Sequence, residues 1–151
     1  KLQIGVMGSA ADLNYNDYCL NAAKKIGELI AKSNNILVYG AEKEYSSLST
    51  NAAIEASKNN GITVGVAGGK NKKIYGDYRP TVLINSGTLT EIAIAYQAGI
   101  PIINLKGYKG WSDKLSNKYL DDRKRLKCIE ANNPEEAVLL AIKEGEKKYD
   151  N

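Results

Sequence analysis

Histidine and phenylalanine are both absent from this 151-residue chain. Without an imidazole, Ser-His-Asp and Cys-His catalysis are excluded and the commonest metal ligand is missing. Any chemistry falls to carboxylates, tyrosine, lysine, arginine, hydroxyls and backbone groups. Cysteine occurs only twice, as Cys19 and Cys128, far apart and without CxxC spacing. That arrangement gives no support to a zinc knuckle or a thioredoxin-like redox pair; the two read as buried free thiols, and no metal site is expected. Long apolar runs are missing as well. The longest, 99–105 and 137–142, fall far short of the roughly 20 residues that a membrane helix takes. Nothing at the start resembles a basic segment followed by an apolar run and a cleavage site, so the expected location is the cytoplasm and no membrane partner is expected.

What is present is ordinary for a globular domain: 43% apolar and 25% charged residues, in a length suited to one continuous core. The chain is read as one domain spanning 1–151. Its net charge of +4 is modest and its lysines stand among acidic neighbours, so attraction to anionic ligands is weak. Nucleic acid is not the expected partner, because a dedicated nucleic-acid binder is usually more basic.

Periodicity divides the chain into alternating strands and helices. Residues 2–7 alternate into a short strand that stops at Gly8-Ser9-Ala10. From about Asp17 the spacing becomes helical, with Tyr18, Ala22, Ile26, Leu29 and Ile30 as the apolar stripe and an end near Ser33-Asn34-Asn35. The apolar run 36–39, ending at Gly40-Ala41, predicts a strand covered on both faces. A helix over 47–58 follows, stopped by Asn59-Asn60-Gly61, and then a strand over 62–66. Residues 68–80, rich in glycine and charge, read as a loop. A fourth strand over 81–84, a helix over 88–98, a fifth strand over 100–105 and a short sixth over 128–131 complete the alternation. The last helix is marked by Asn133 as cap, Pro134 in the first turn, and Glu135 and Glu136 at its positive end. The fold class is therefore α/β: a Rossmann-like three-layer domain with a mostly parallel sheet of about six strands, right-handed crossovers and helices on both faces.

In such sheets ligands settle beyond the C-terminal strand ends, where helix N-termini and free backbone N–H groups hold anions. Three strand ends carry suitable loops. Gly8 and Ser9 would let a phosphate or ribose approach the backbone, although an ordinary tight turn explains them as well. Gly40 and Ala41 end the second strand, where the bland reading is favoured. Asn85, Ser86, Gly87 and Thr88 join the fourth strand directly to a helix. There Thr88 and Glu91 have capping-box spacing while Ser86 and Gly87 leave N–H groups at the positive helix end.

With these motifs the sequence resembles the LOG-like, or "lysine decarboxylase-like", Rossmann proteins, in the branch that includes molybdenum-cofactor carrier proteins. The resemblance rests on residues 4–9, 60–65, 86–91, 98–102 and 110–113, and 86–91 is the most specific of these. It implies a loop that helps bind a nucleotide phosphate and ribose. In the phosphoribohydrolase members a glutamate at the place of Glu91 works with an arginine in breaking an N-glycosidic bond. Where that group has glycines before the motif this chain has Ile84 and Asn85, and the helix that brings the arginine has no counterpart. Arg79 is no motif match.

The expected function is thus binding of a nucleotide or related phosphorylated cofactor, in one form as a carrier for a molybdopterin-type ligand. The alternative is a nucleoside 5′-monophosphate phosphoribohydrolase with Glu91 as the catalytic carboxylate. A third is single-stranded nucleic-acid binding through the Lys-rich loops. The resemblance also implies a homodimer or higher homo-oligomer. Residues 68–80, with Lys70, Lys72, Lys73 and Arg79, read either as a charged flap over the ligand or as a plain connection. Tyr108 and Trp111 are assigned to packing, and 121–125 to an exposed charged turn.

Overall fold

The computed structural model describes residues 1–8, 15–41, 47–67, 81–85, 95–108 and 111–149. They belong to two compact units, Lys1–Thr88 and Leu89–Asn151.

The first unit holds β1 (Gln3–Val6), α1 (Asp17–Lys32), β2 (Ile36–Ala41), α2 (Leu48–Lys58), β3 (Ile62–Ala67) and β4 (Val82–Asn85). All four strands form one parallel sheet in the order β1-β2-β3-β4. Its register sets Ile4 beside Leu37 and Thr63, and Val6 beside Tyr39 and Gly65. Because side chains alternate across a strand, this row lies on one face, where Leu37, Tyr39 and Thr63 are buried. At the N-terminal end the sheet is tied by side chains. The Leu2 N–H donates to Asn35 Oδ1 at 3.0 Å, and Thr63 and Thr81 each donate a backbone N–H to the other's hydroxyl at 3.1 Å.

Helices α1 and α2 pack against one another through small residues: Ala22, Ala23 and Gly27 on one, Ala52, Ala53 and Ala56 on the other, all buried. Tyr18, expected in the apolar stripe of α1, is instead exposed. It stands in the first turn, ahead of the region where the two helices meet. Both helices end in a left-handed asparagine, Asn34 and Asn60, a residue whose short polar side chain tolerates that conformation. Gly61 is needed for a different reason. A Cβ there would lie 2.7 Å from Ala31 Cβ and 2.9 Å from the Ala56 carbonyl oxygen.

The second unit holds β5 (Ile103–Leu105), α3 (Trp111–Leu115), β6 (Ile129–Ala131) and α4 (Pro134–Tyr149). β5 and β6 form a two-stranded parallel sheet. Tyr96, Ile102 and Cys128 make the buried cluster, with Ala95, Leu115, Leu120 and Leu126 packed on it. Of the helix expected over 88–98, residues 95–97 are described and helical. Its end is set by Gly99 at φ +65°, after which the Ile100 N–H returns to the Ala95 carbonyl at 2.8 Å. β5 starts at Ile103 rather than at residue 100, because Pro101 has no N–H to give a ladder. As expected, Asn133 caps α4, its Oδ1 accepting from the Glu136 N–H at 2.8 Å.

Two further expectations are corrected. The strands are parallel and alternate with helices, but among the described residues they divide into sheets of four and two rather than one sheet of about six. Periodicity locates strands without naming their partners. β4 hydrogen-bonds to β3, while β5 has only the three residues of β6. Of the two free thiols, Cys128 is buried but Cys19 is only half-buried, since it lies in the first turn of α1, before the helix reaches its contact with α2.

Candidate functional site

The register of the first unit brings the C-terminal strand ends level: Ala41 pairs with Ala67, and Ala67 with Asn85. β1 ends at Val6, paired with Tyr39, and Gly8 follows two residues later. Gly40, Ala41 and Asn85 share one edge, with Gly8 just beyond the end of β1. Ser9, Ser86, Gly87, Thr88 and Glu91, the other candidates, lie outside the described residues, as does the 68–80 segment.

Gly8 is there because the chain needs no side chain at that point. A Cβ would stand 2.8 Å from Leu48 Cβ, the first residue of α2. The head of α2 thus sits directly against the end of β1. That head is built of hydroxyls that the sequence reading did not single out. Ser47, wholly buried, is the N-cap, and its Oγ accepts from the Thr50 N–H at 3.1 Å. The same oxygen is 2.9 Å from Ser49 Oγ and 3.0 Å from Thr50 Oγ1, and Ser49 Oγ lies 3.5 Å from the Gly40 carbonyl oxygen. The signal was legible as the hydroxyl-rich run 46–50 before an alanine-rich helix, which is how N-caps read.

The heads of α1 and α2 differ in charge. α1 begins with Asn16 as cap, its side chain accepting from the Cys19 N–H at 3.0 Å, and carries Asp17 in its first turn. α2 has no carboxylate in its first turn. A helix N-terminus carries roughly half a positive charge; in the first turn of α1 a carboxylate offsets it, while the first turn of α2 holds hydroxyls and no carboxylate.

In the second unit the segment read as an exposed charged turn is more ordered than expected. The buried Tyr96 hydroxyl donates to Asp121 Oδ1 and accepts from the Arg125 N–H at 3.2 Å. Arg123 Nε donates to Asp121 Oδ2 at 2.6 Å, and its guanidinium lies over the Tyr96 ring, 5.9 Å from the centroid. The Tyr96 bond and then the Arg123 bond hold the Asp121 carboxyl below its usual range. The same bond to Asp121, followed by burial, pushes the Tyr96 phenol up. Lys124 takes a left-handed φ of 51° to make the turn. A signal for this tie was present in Tyr96 itself, a tyrosine within a helical apolar stripe whose hydroxyl needs a partner when buried. Among the described residues no group of three or more His, Cys, Asp or Glu comes together to hold a metal, and no helix is long and apolar enough to cross a membrane.

The chain resembles solved structures over nearly its whole length. TM1055 matches with a TM-score of 0.74 at 20% identity, covering 93% of this chain and 96% of that one. The molybdenum cofactor carrier protein of Chlamydomonas reinhardtii gives 0.72 at 23%, with 95% and 97% covered. The molybdenum cofactor binding protein of Rippkaea orientalis gives 0.69 at 22%, with 95% and 96% covered. At such identities the likeness establishes the fold. No curated protein matches the sequence. The SLOG cluster4 family profile matches residues 1–84, which takes in β1 to β3, both helices and all of β4 but its last residue, so the chain belongs to the SLOG cluster4 family of LOG-like proteins.

Proposed function

We propose that this protein binds a phosphorylated small molecule of nucleotide or molybdopterin type along the C-terminal edge of the β1–β4 sheet, and serves as its carrier. The observation that carries the reading is that edge: Gly40, Ala41 and Asn85 at the C-terminal strand ends, with Gly8 against the head of α2, which has no carboxylate in its first turn. Small residues leave the backbone approachable, and a helix N-terminus favours an anion. Ser9, Ser86, Gly87 and Thr88 belong to the same reading as further donors, with Glu91 beside them in sequence.

The carrier form draws support from the names of two similar structures, a molybdenum cofactor carrier protein and a molybdenum cofactor binding protein. The donor set fits such a ligand in one specific sense. The described residues at this edge offer backbone and hydroxyl groups, which suit the phosphate and ring system of such a ligand. The cofactor's own redox chemistry stays with the cofactor. The reading includes one ligand-binding domain over 1–151, associating as a homo-oligomer.

Calorimetry and thermal unfolding with molybdopterin, AMP and inorganic phosphate test it. A ligand present at about 100 times its Kd raises stability by about 2.7 kcal/mol. The Gly87→Val variant should lose that shift while keeping its far-ultraviolet circular dichroism. If none of the three ligands shifts the transition, the reading fails. If AMP is instead turned over to free base, and Glu91→Gln abolishes the turnover, the protein is a phosphoribohydrolase rather than a carrier.

A further inference from the structure

We infer that the Lys118–Lys127 excursion of the second unit is a docking surface for single-stranded nucleic acid. Across the chain 21 cations face 17 carboxylates. Between residues 114 and 127 alone, six cations face two carboxylates, which leaves fifteen against fifteen everywhere else. The modest net charge of +4 is therefore not spread over the molecule; all of it lies in one short segment.

The structure holds that segment in a defined shape. Tyr119 and Lys127 form an antiparallel bridge, and the Cys128 N–H donates to the Lys118 carbonyl at 2.8 Å. Leu120 and Leu126 pack inward on the buried cluster, and the turn between them is tied down by Asp121 to Tyr96 and Arg123. A charge run that served only to be solvated would need none of these anchors. Opposed residues on an antiparallel pair point to the same side, so Tyr119, 45% exposed, stands next to the exposed Lys127. Lys118, Lys124 and Arg125 are exposed in the same segment. Among the described residues no carboxylate pairs with Lys118, Lys124, Arg125 or Lys127.

Four unpaired cations in one ten-residue segment with an exposed aromatic ring match what a single strand offers: a row of phosphates for the cations, and an unstacked base for the ring. A duplex keeps its bases stacked and has no use for the tyrosine. A protein partner is a poorer match, because lysine is depleted at protein interfaces and three of the four free cations are lysine.

The test uses the full chain and a fluorescently labelled dodecamer of thymidylate, read by anisotropy over a range of salt. Four phosphate contacts predict a slope of log K against log salt of about −3. The double variant Arg125→Gln/Lys127→Gln should flatten it by about 1.4. Tyr119→Ala should lower affinity about tenfold with the slope unchanged. Absence of binding at low salt overturns the inference, and so does a slope that the double variant does not change. Polyglutamate that competes as well as the oligonucleotide, together with a neutral Tyr119→Ala, overturns it in favour of an acidic protein partner. Unchanged thermal unfolding of the variants shows that the fold is intact. Ligand binding at the first unit is not needed for any of these readings, so failure of the carrier proposal leaves them interpretable.

Discussion

Gly27 of α1 lies on the Ala52 carbonyl of α2, so close that a Cβ at Gly27 would stand 2.7 Å from the carbonyl carbon and closer still to its oxygen. Two opposing effects bear on Gly27→Ala. Alanine in a helix interior gains about 1 kcal/mol over glycine in propensity, while overpacking a buried contact costs about 1–3 kcal/mol, occasionally more. The obstacle is backbone on both sides, which cannot turn away as a side chain can. The overpacking therefore wins, and a net loss of up to about 2 kcal/mol is expected in urea denaturation. A variant as stable as the parent would mean that α1 and α2 do not meet at Gly27.

That contact also marks where sequence reading stopped. The stripe of α1 was legible in part because Ala22 and Ile30 are apolar and recur at helical spacing. Gly27 has no side chain to count, so the point of closest approach was invisible to periodicity. Likewise Gly8, Gly40 and Ala41 could be picked out as strand-end residues. That Gly8 faces Leu48, and that Ser47 and Ser49 gather beside Gly40, are long-range facts that no local pattern encodes. The Lys118–Lys127 excursion read as polar loop because its anchors, Tyr96 above all, lie more than twenty residues away in sequence.

The Asp121 tie gives a pH dependence with a definite sign. Its folded-state carboxyl is held down by the Tyr96 hydroxyl first and Arg123 second, against about 3.9 in an unfolded chain. A depressed carboxyl contributes stability that is present above the unfolded value and lost as pH falls through the folded one. Thermal unfolding of the parent and Asp121→Asn should therefore differ at pH 7 and converge as pH drops below about 4. A gap that is constant from neutral to acid pH would show that Asp121 acts without its charge.

The two thiols should separate cleanly by reactivity. Cys128 is wholly buried, and burial pushes its thiol up, with the Asn104 side chain opposing weakly. Cys19 is half-buried near the head of α1. Since the thiolate is the reactive form, Ellman's reagent should label one thiol in the native protein and the second only on unfolding. Cys19→Ser should abolish the native signal. Two thiols titrating together in the native state would contradict the burial of Cys128.

Ser47 is the point at which stability and ligand binding can be pulled apart. Its hydroxyl is wholly buried and accepts from the Thr50 N–H at 3.1 Å, so Ser47→Ala removes the acceptor of a half-buried amide at the head of α2. Loss of an N-cap serine costs about 0.5–2 kcal/mol. Ser47 Oγ is already engaged with Ser49 and Thr50 and so has nothing left to offer a ligand. The affinity for whichever phosphorylated ligand binds should therefore survive Ser47→Ala at temperatures well below unfolding, although the melting temperature falls. Gly87→Val is expected to do the reverse, keeping the melting temperature of the free protein and losing the ligand. Calorimetric affinities measured on both variants decide the matter. If Ser47→Ala weakens binding as much as Gly87→Val does, the hydroxyls at the head of α2 are themselves ligand contacts, and capping does not exhaust their role.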